Sequence, residues 1–220
     1  MAAGGVADGA GDADAGASAD KLTAKGRRTR LQLIEGARRA FAQSANYVDT
    51  RVSDITDQAN VAYGSFYTYF SSKEMLFREL ATTVVLDMYD STRSSYRGDD
   101  PQRRIASANA RWFGAYRNNA RMMAVIEQAA ALYPEFHELR RELRARFVER
   151  IAANVLSWQR SGLVSADLDP LTSAHALLSM TDNFCYVYLV LGEQFEEQVA
   201  IETLNTLWVR GLGLHSSTTS

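Results

Sequence analysis

The stretch that most constrains this chain is Val48–Lys73, VDTRVSDITDQANVAYGSFYTYFSSK. Val48, Val52, Ile55 and Ala59 recur at helical spacing on an otherwise polar segment, which predicts one short amphipathic helix. Thr50 stands where a hydroxyl would cap its free N–H groups, and Asn60 follows the last apolar position, where left-handed backbone can end the helix. A second helix, from about Tyr63 to Phe70, is too short to stand alone and must be held by its neighbours. Phe66 and Phe70, four residues apart, would face inward and leave Ala62, Tyr63, Ser65, Tyr67, Thr68 and Tyr69 to face elsewhere. Two short helices around a tight turn are the shape that sets a second helix into the major groove of DNA.

The surrounding chain suits that reading. A first helix is expected over Arg28–Gln43, burying Leu33, Ala37, Ala40 and Phe41 against Val52, Ile55 and Phe66. A fourth begins near Ser72, with Lys73 and Glu74 in its first turn, and runs through Met75, Leu76, Leu80, Val84 and Met88 towards Tyr96. The net charge of −2 conceals a gradient. Residues 1–20 carry four Asp and no base, whereas residues 21–80 carry ten Lys/Arg against six Asp/Glu. A basic segment on a mildly acidic chain fits a nucleic-acid module joined to something else. Residues 1–20 read as a disordered Ala/Gly/Asp tail, residues 21–80 as the DNA-binding domain, and residues 81–220 as a second helical domain.

The segment resembles the DNA-binding domain of the TetR (tetracycline-repressor-like) family of bacterial transcriptional regulators. The residues that carry the resemblance are Asn46-Tyr47, Thr50-Arg51-Val52-Ser53-Asp54-Ile55-Thr56, and the run from Ala59 to Glu74, ANVAYGSFYTYFSSKE. Asn46 and Asn60 stand where the family usually has glycine, and both are residues that tolerate positive φ. Tyr63 stands where a small or charged side chain is commoner. The resemblance implies an all-α, homodimeric, ligand-responsive regulator, a repressor that binds palindromic double-stranded operator DNA. It also supports Tyr67 and Lys73 as phosphate contacts.

Several side chains are candidates for DNA contact. Arg27, Arg28, Arg30 and Lys73 offer charge to phosphates, Thr50, Tyr67 and Tyr69 offer hydroxyls, and Ala62, Tyr63, Gly64 and Ser65 form the edge that would read bases. The basic run from Lys21 could also follow the DNA backbone or enter the minor groove, or serve only as a soluble tail.

After residue 100 the pattern predicts five more helices, over about Pro101–Arg117, Ala120–Leu132, Pro134–Ser161, Pro170–Leu191 and Glu196–Arg210, giving about nine in all. The middle helices hold the candidates for a pocket that takes a small, mostly apolar effector: Trp112, Phe113, Tyr116, Met123, Glu127, Phe147, Met180, Asn183 and Phe184. Aromatic and methionine stripes of this kind also serve as plain core. Asn109, Gln128, His175 and Asp182 are further polar groups that could orient a ligand. The broad apolar surface of the last two helices is the expected dimer interface, represented by Leu177, Tyr188, Leu204 and Trp208. Arg38-Arg39 and Arg140-Arg141 read as solvated helix faces.

Enzyme signals are absent. His137, His175 and His215 lack metal-site spacing, and there is no P-loop, dinucleotide fingerprint or nucleophile elbow. Neither metal nor cofactor is expected. The lone Cys185 cannot form an internal disulfide, no apolar run approaches a membrane span, and no signal peptide is expected, so the cytoplasm is the expected location. Two other readings stay open at this stage: a helical interaction module carrying a vestigial head, or a small-molecule enzyme.

Overall fold

The computed structural model describes residues 22–93, 98 and 100–214. The tail expected over residues 1–20, Lys21, the end of the fourth helix near Tyr96, and His215 lie outside the described residues. The described residues form eight helices and no strand: α1 (Ala24–Ser44), α2 (Val52–Ala59), α3 (Tyr63–Tyr69), α4 (Lys73–Ser91), α5 (Pro101–Leu132), α6 (Pro134–Arg160), α7 (Pro170–Leu189) and α8 (Glu197–Gly211).

Local chemistry sets most of the boundaries. The three prolines, Pro101, Pro134 and Pro170, each occupy the first residue of a helix, where a missing N–H costs nothing. Asp100 Oδ1 accepts from Gln102 N–H at 2.9 Å and Asp169 Oδ1 from Thr172 N–H at 2.7 Å, capping α5 and α7. Ser72 Oγ caps α4 by accepting from Met75 N–H at 3.3 Å.

The head, α1 to α3, closes on Leu33, Ala37, Phe41, Ile55 and Phe66, all fully buried, with Phe70 beside them. Its tightest point is Gly36, where a Cβ would lie 2.6 Å from Ala59 Cβ and 2.7 Å from Ala59 N. Only a residue without a side chain lets α1 and α2 approach so closely.

In the body α5 is the central helix, packed by α1, α4, α6, α7 and α8. It is one helix of 32 residues where the sequence pattern suggested two, which reduces the expected nine helices to eight. Asn118 and Asn119, at the expected break, are weak helix formers but do not forbid one. Asn119 Nδ2 donates to Ala115 O at 2.8 Å, and its Oδ1 accepts from Arg38 Nη2, so its amide is satisfied within the helical course.

The start of the helix-turn-helix differs from expectation. Val48 lies in the turn before α2 and is half exposed, so it is not part of the buried stripe. Thr50 does not cap α2; Asp54 does, its Oδ2 accepting from Arg51 N–H at 2.8 Å. Positive φ falls on Asn60 (54°), as expected, but on Ala45 (52°) and not on Asn46. Asn46 works through its side chain, whose Oδ1 accepts from Val48 N–H at 2.8 Å.

Candidate DNA-reading face and effector cavity

The short helix α3 presents its outer side to solvent. Ala62, Tyr63, Gly64, Tyr67 and Thr68 are exposed, Ser65 is half-buried, and Phe66 and Phe70 anchor the helix beneath them. Tyr63 and Tyr67 stand together, rings edge to face at 5.9 Å and hydroxyls 3.4 Å apart. Nothing of the protein lies within 4 Å of a Cβ built on Gly64, so no internal packing demands glycine there. A bare backbone flanked by two tyrosine hydroxyls offers close approach and hydrogen bonding to an external partner. Tyr69 leans against the core and is only partly exposed.

The polar residues beneath α3 have internal duties that spacing did not reveal. Thr50 is 1% exposed; its hydroxyl donates to Asn46 O at 2.7 Å and lies 2.6 Å from Ser44 Oγ. Its assignment as a DNA contact is therefore corrected, because the hydroxyl is sealed in the turn. Lys73 Nζ donates to Tyr47 O and Thr50 O, both at 2.9 Å, and lies 4.3 Å from the centre of the Tyr47 ring. Burial pulls this ammonium below its ordinary pKa. Arg30 is held by Glu79 of α4 through both guanidinium nitrogens and lies 4.8 Å over the Phe70 ring, which joins α1 to α4. Arg27 Nη1 donates to Leu22 O at 2.7 Å, and Arg28 is exposed.

The body encloses a cavity of about 230 Å³ at the end of α4. Its wall takes Thr92 and Arg93 from just after α4, Trp112 from α5, Phe147 and Trp158 from α6, Leu178 from α7 and Trp208 from α8. All three tryptophans of the chain line it. Of the nine expected pocket residues, Trp112 and Phe147 belong here. Tyr116, Glu127 and Asn183 line a separate, more open hollow with Arg140, Arg144 and Asp182. Phe113 and Met123 are core, fully or almost fully buried, and line neither space. Met180 and Phe184 also line neither; the Phe184 ring lies tilted against Phe195, centroids 4.9 Å apart. Asn109 reaches the cavity and donates to Asn205 Oδ1 at 2.8 Å, whereas His175 is exposed.

Residues 33–80, from within α1 to the first turns of α4, match the family model for bacterial regulatory proteins of the tetR family. The head is a TetR-family DNA-binding domain. Among TetR-family and related proteins, the chain is 26% identical over 191 residues to an uncharacterised HTH-type transcriptional regulator, YdgC, of Bacillus subtilis (strain 168), covering 84% of this chain and 94% of YdgC. Its fold is similar to that of the fatty acid degradation regulator FadR from Bacillus halodurans (TM-score 0.74, 17% identity, covering 85% of this chain and 97% of that one). It is also similar to FadR from Bacillus subtilis in complex with stearoyl-CoA (TM-score 0.69, 18% identity, 82% and 98% covered). These relatives are transcriptional regulators and not enzymes.

Behind this TetR-family head the outermost helices divide differently from the sequence expectation. Leu204 (2% exposed) and Trp208 (7%) point into the chain, and Trp208 Nε1 donates to Thr181 Oγ1 at 2.8 Å. Their assignment to a dimer interface is corrected. Leu177 and Tyr188 remain partly exposed, and Leu191, Phe195, Val199 and Leu207 extend the apolar outer surface. Arg140 is a second correction, since it is largely buried and paired with Glu127 (2.8 Å) and Asp182 (3.1 Å). Burial opposes its charge, but Asp182 and Glu127 outweigh that and hold the guanidinium above its ordinary pKa. Arg144 joins the same Asp182 at 2.6 Å. Gln128, expected as a candidate ligand-orienting group, instead accepts from Tyr47 N–H through its Oε1 at 2.8 Å and ties α5 to the head. Sequence reasoning also missed Gly36, the close point of the head. A glycine amid the apolar positions of α1 was the one available signal.

Cys185 is fully buried, and burial pushes its thiol pKa up, which suits a packed thiol and not a nucleophile. No helix is long and apolar enough to cross a membrane, and no cluster of metal-ligating side chains occurs among the described residues.

Proposed function

We propose that this regulator binds palindromic operator DNA as a homodimer, represses transcription there, and is released when a small, mostly apolar effector enters the cavity lined by the three tryptophans. The observation that carries this reading is the course of α4. Its first turn, at Lys73, clamps the helix-turn-helix, and the residues just after its last turn, Thr92 and Arg93, form part of the cavity wall. A change in the cavity is therefore one rigid element away from the reading face. The FadR relative in complex with stearoyl-CoA adds support for a ligand role of the helical body.

In the dimer, the outer surfaces of α7 and α8 from two chains would pack about a two-fold axis. Two heads would then meet half-sites roughly 34–36 Å apart, so that a small tilt of α4 breaks both contacts together. To release the operator, the effector needs a differential affinity of several kcal/mol between the two arrangements, on the order of 5 kcal/mol for a near-complete switch. Tyr67 and the exposed Arg28 are the phosphate contacts of this reading, and Tyr63 with Ala62, Gly64 and Ser65 the base-reading edge.

The test is fluorescence anisotropy on a selected palindromic operator between about 50 and 200 mM salt. Steep loss of affinity with salt is expected, and Tyr67→Ala should weaken binding about tenfold. Failure to select any preferred sequence would favour the interaction-module reading.

A further inference from the structure

The polar groups around the tryptophan-lined cavity are of one kind. It is lined by Arg93, Arg104 and Arg150 and by no Asp or Glu among the described residues. Arg93 is paired with Asp90 at 3.1 Å. Arg150 is half-buried and has no carboxylate partner among the described residues. Its Nη2 donates to Tyr89 O at 2.9 Å and Thr92 Oγ1 at 2.6 Å, and its guanidinium lies 4.6 Å from the centre of the Phe147 ring. A guanidinium has five N–H donors. Nη2 supplies both of these bonds, while Nε and Nη1 make none among the described residues. Burial first, and then the charge of Arg93, lower its pKa, outweighing the opposing influence of Asp90, whose carboxylate is paired with Arg93. Trp112 lines the same cavity, 3% exposed, its ring stacked on Phe147 at 5.6 Å. A half-buried cation with no direct ion pair is costly.

Resting on the reading of this cavity as the effector site, we propose that the effector is a small apolar acid, its carboxylate received by the free nitrogens of Arg150. Its hydrocarbon part packs against Phe147, Trp158, Leu178 and Trp208. Arg104 adds positive charge to the wall without an ion-pair partner among the described residues. The size follows from the space. About 230 Å³ lies just under the ~300 Å³ lower end of small-molecule sites, room for a ring with a short tail and not for a long acyl thioester. Arg150 also completes the C-terminal end of α4 through Tyr89 O, so an acid bound to its free nitrogens acts where the strut to the head ends.

The experiment is calorimetric titration of the full chain with 4-phenylbutyrate, with 4-phenylbutan-1-ol, and with stearoyl-CoA. The acid is expected to bind at least tenfold more tightly than the alcohol. Arg150→Gln should remove that preference by weakening the acid alone. Should Arg150→Gln not fold, as judged by circular dichroism, Arg104→Gln gives the same comparison with a smaller loss. Ala108→Phe fills the cavity and should abolish binding of both probes. Equal binding of acid and alcohol overturns the anionic class but leaves the cavity as effector site. Acid binding that survives Ala108→Phe overturns the location, and binding of stearoyl-CoA alone overturns the size. If neither small probe binds, the proposal fails on both class and size, while salt-dependent operator binding, measured without ligand, still stands or falls separately.

Discussion

Lys73 decides how the edge of the reading face is understood. Its ammonium holds two carbonyls of the turn that precedes α2, Tyr47 O and Thr50 O, and so fixes the platform on which α3 rests. Lys73→Met is therefore expected to lower unfolding free energy by about 1–3 kcal/mol in urea titration, the range for hydrogen bonds to a charged donor. The salt slope of operator binding should stay unchanged; a slope reduced by about one would make it a phosphate contact after all. Two backbone positions give opposite predictions. Ala45 sits at φ 52°, where an L side chain is strained, so Ala45→Gly should stabilise the head by about 0.5–1 kcal/mol by thermal melting. Gly36→Ala would drive a methyl into Ala59, and a loss of about 3 kcal/mol is expected from the same measurement.

At the scale of elements, α8 shows why part of the site was legible and part was not. Leu204 and Trp208 form one stripe and Leu207 belongs to another, yet both stripes are apolar, so periodicity cannot say which faces the chain's own core. The structure assigns the first inward, and the outer one becomes the candidate for self-association. Leu207→Glu is expected to convert a dimer to monomers in sedimentation velocity without unfolding the chain; an unchanged dimer would sink that interface. Phe41, Ile55 and Phe66 were legible because each lies on a stripe flanked by polar positions. Arg30 and Lys73 were not, since their partners lie far away in the chain and leave no spacing signal. Thr50 was not because its partners, Ser44 at the end of α1 and Asn46 just after it, border an irregular turn with no period to read. Arg140 and Arg141 are successive helical positions about 100° apart, so one can enter the Glu127–Asp182 network while its neighbour stays in water. The expected break in α5 failed for a similar reason: the Asn119 amide is satisfied by Ala115 O and by Arg38 of α1.

For the molecule as a whole, head and body are joined at more than one point. Tyr47 donates its N–H to Gln128 of α5 and packs its ring on Phe77, Tyr133 and Phe136, so the turn before α2 rests on both α4 and the α5–α6 corner. Buried phenols also set an alkaline limit. Burial, only partly offset by Arg140, pushes Tyr89 up to about 12, and burial likewise raises Tyr47 and Tyr116. Above the ordinary tyrosine value of about 10, the unfolded chain ionises these phenols while the folded chain resists. Stability should be insensitive to this group of residues below pH ~10 and decline from about 10 to 12, as urea titrations across that range would record. The placement of Trp112, Trp158 and Trp208 around one cavity has an optical consequence. The tryptophan emission of the whole chain originates at the wall of a single chamber, so its wavelength and intensity, excited beyond tyrosine absorption, report directly on whether that chamber is wet or filled, with no dye attached.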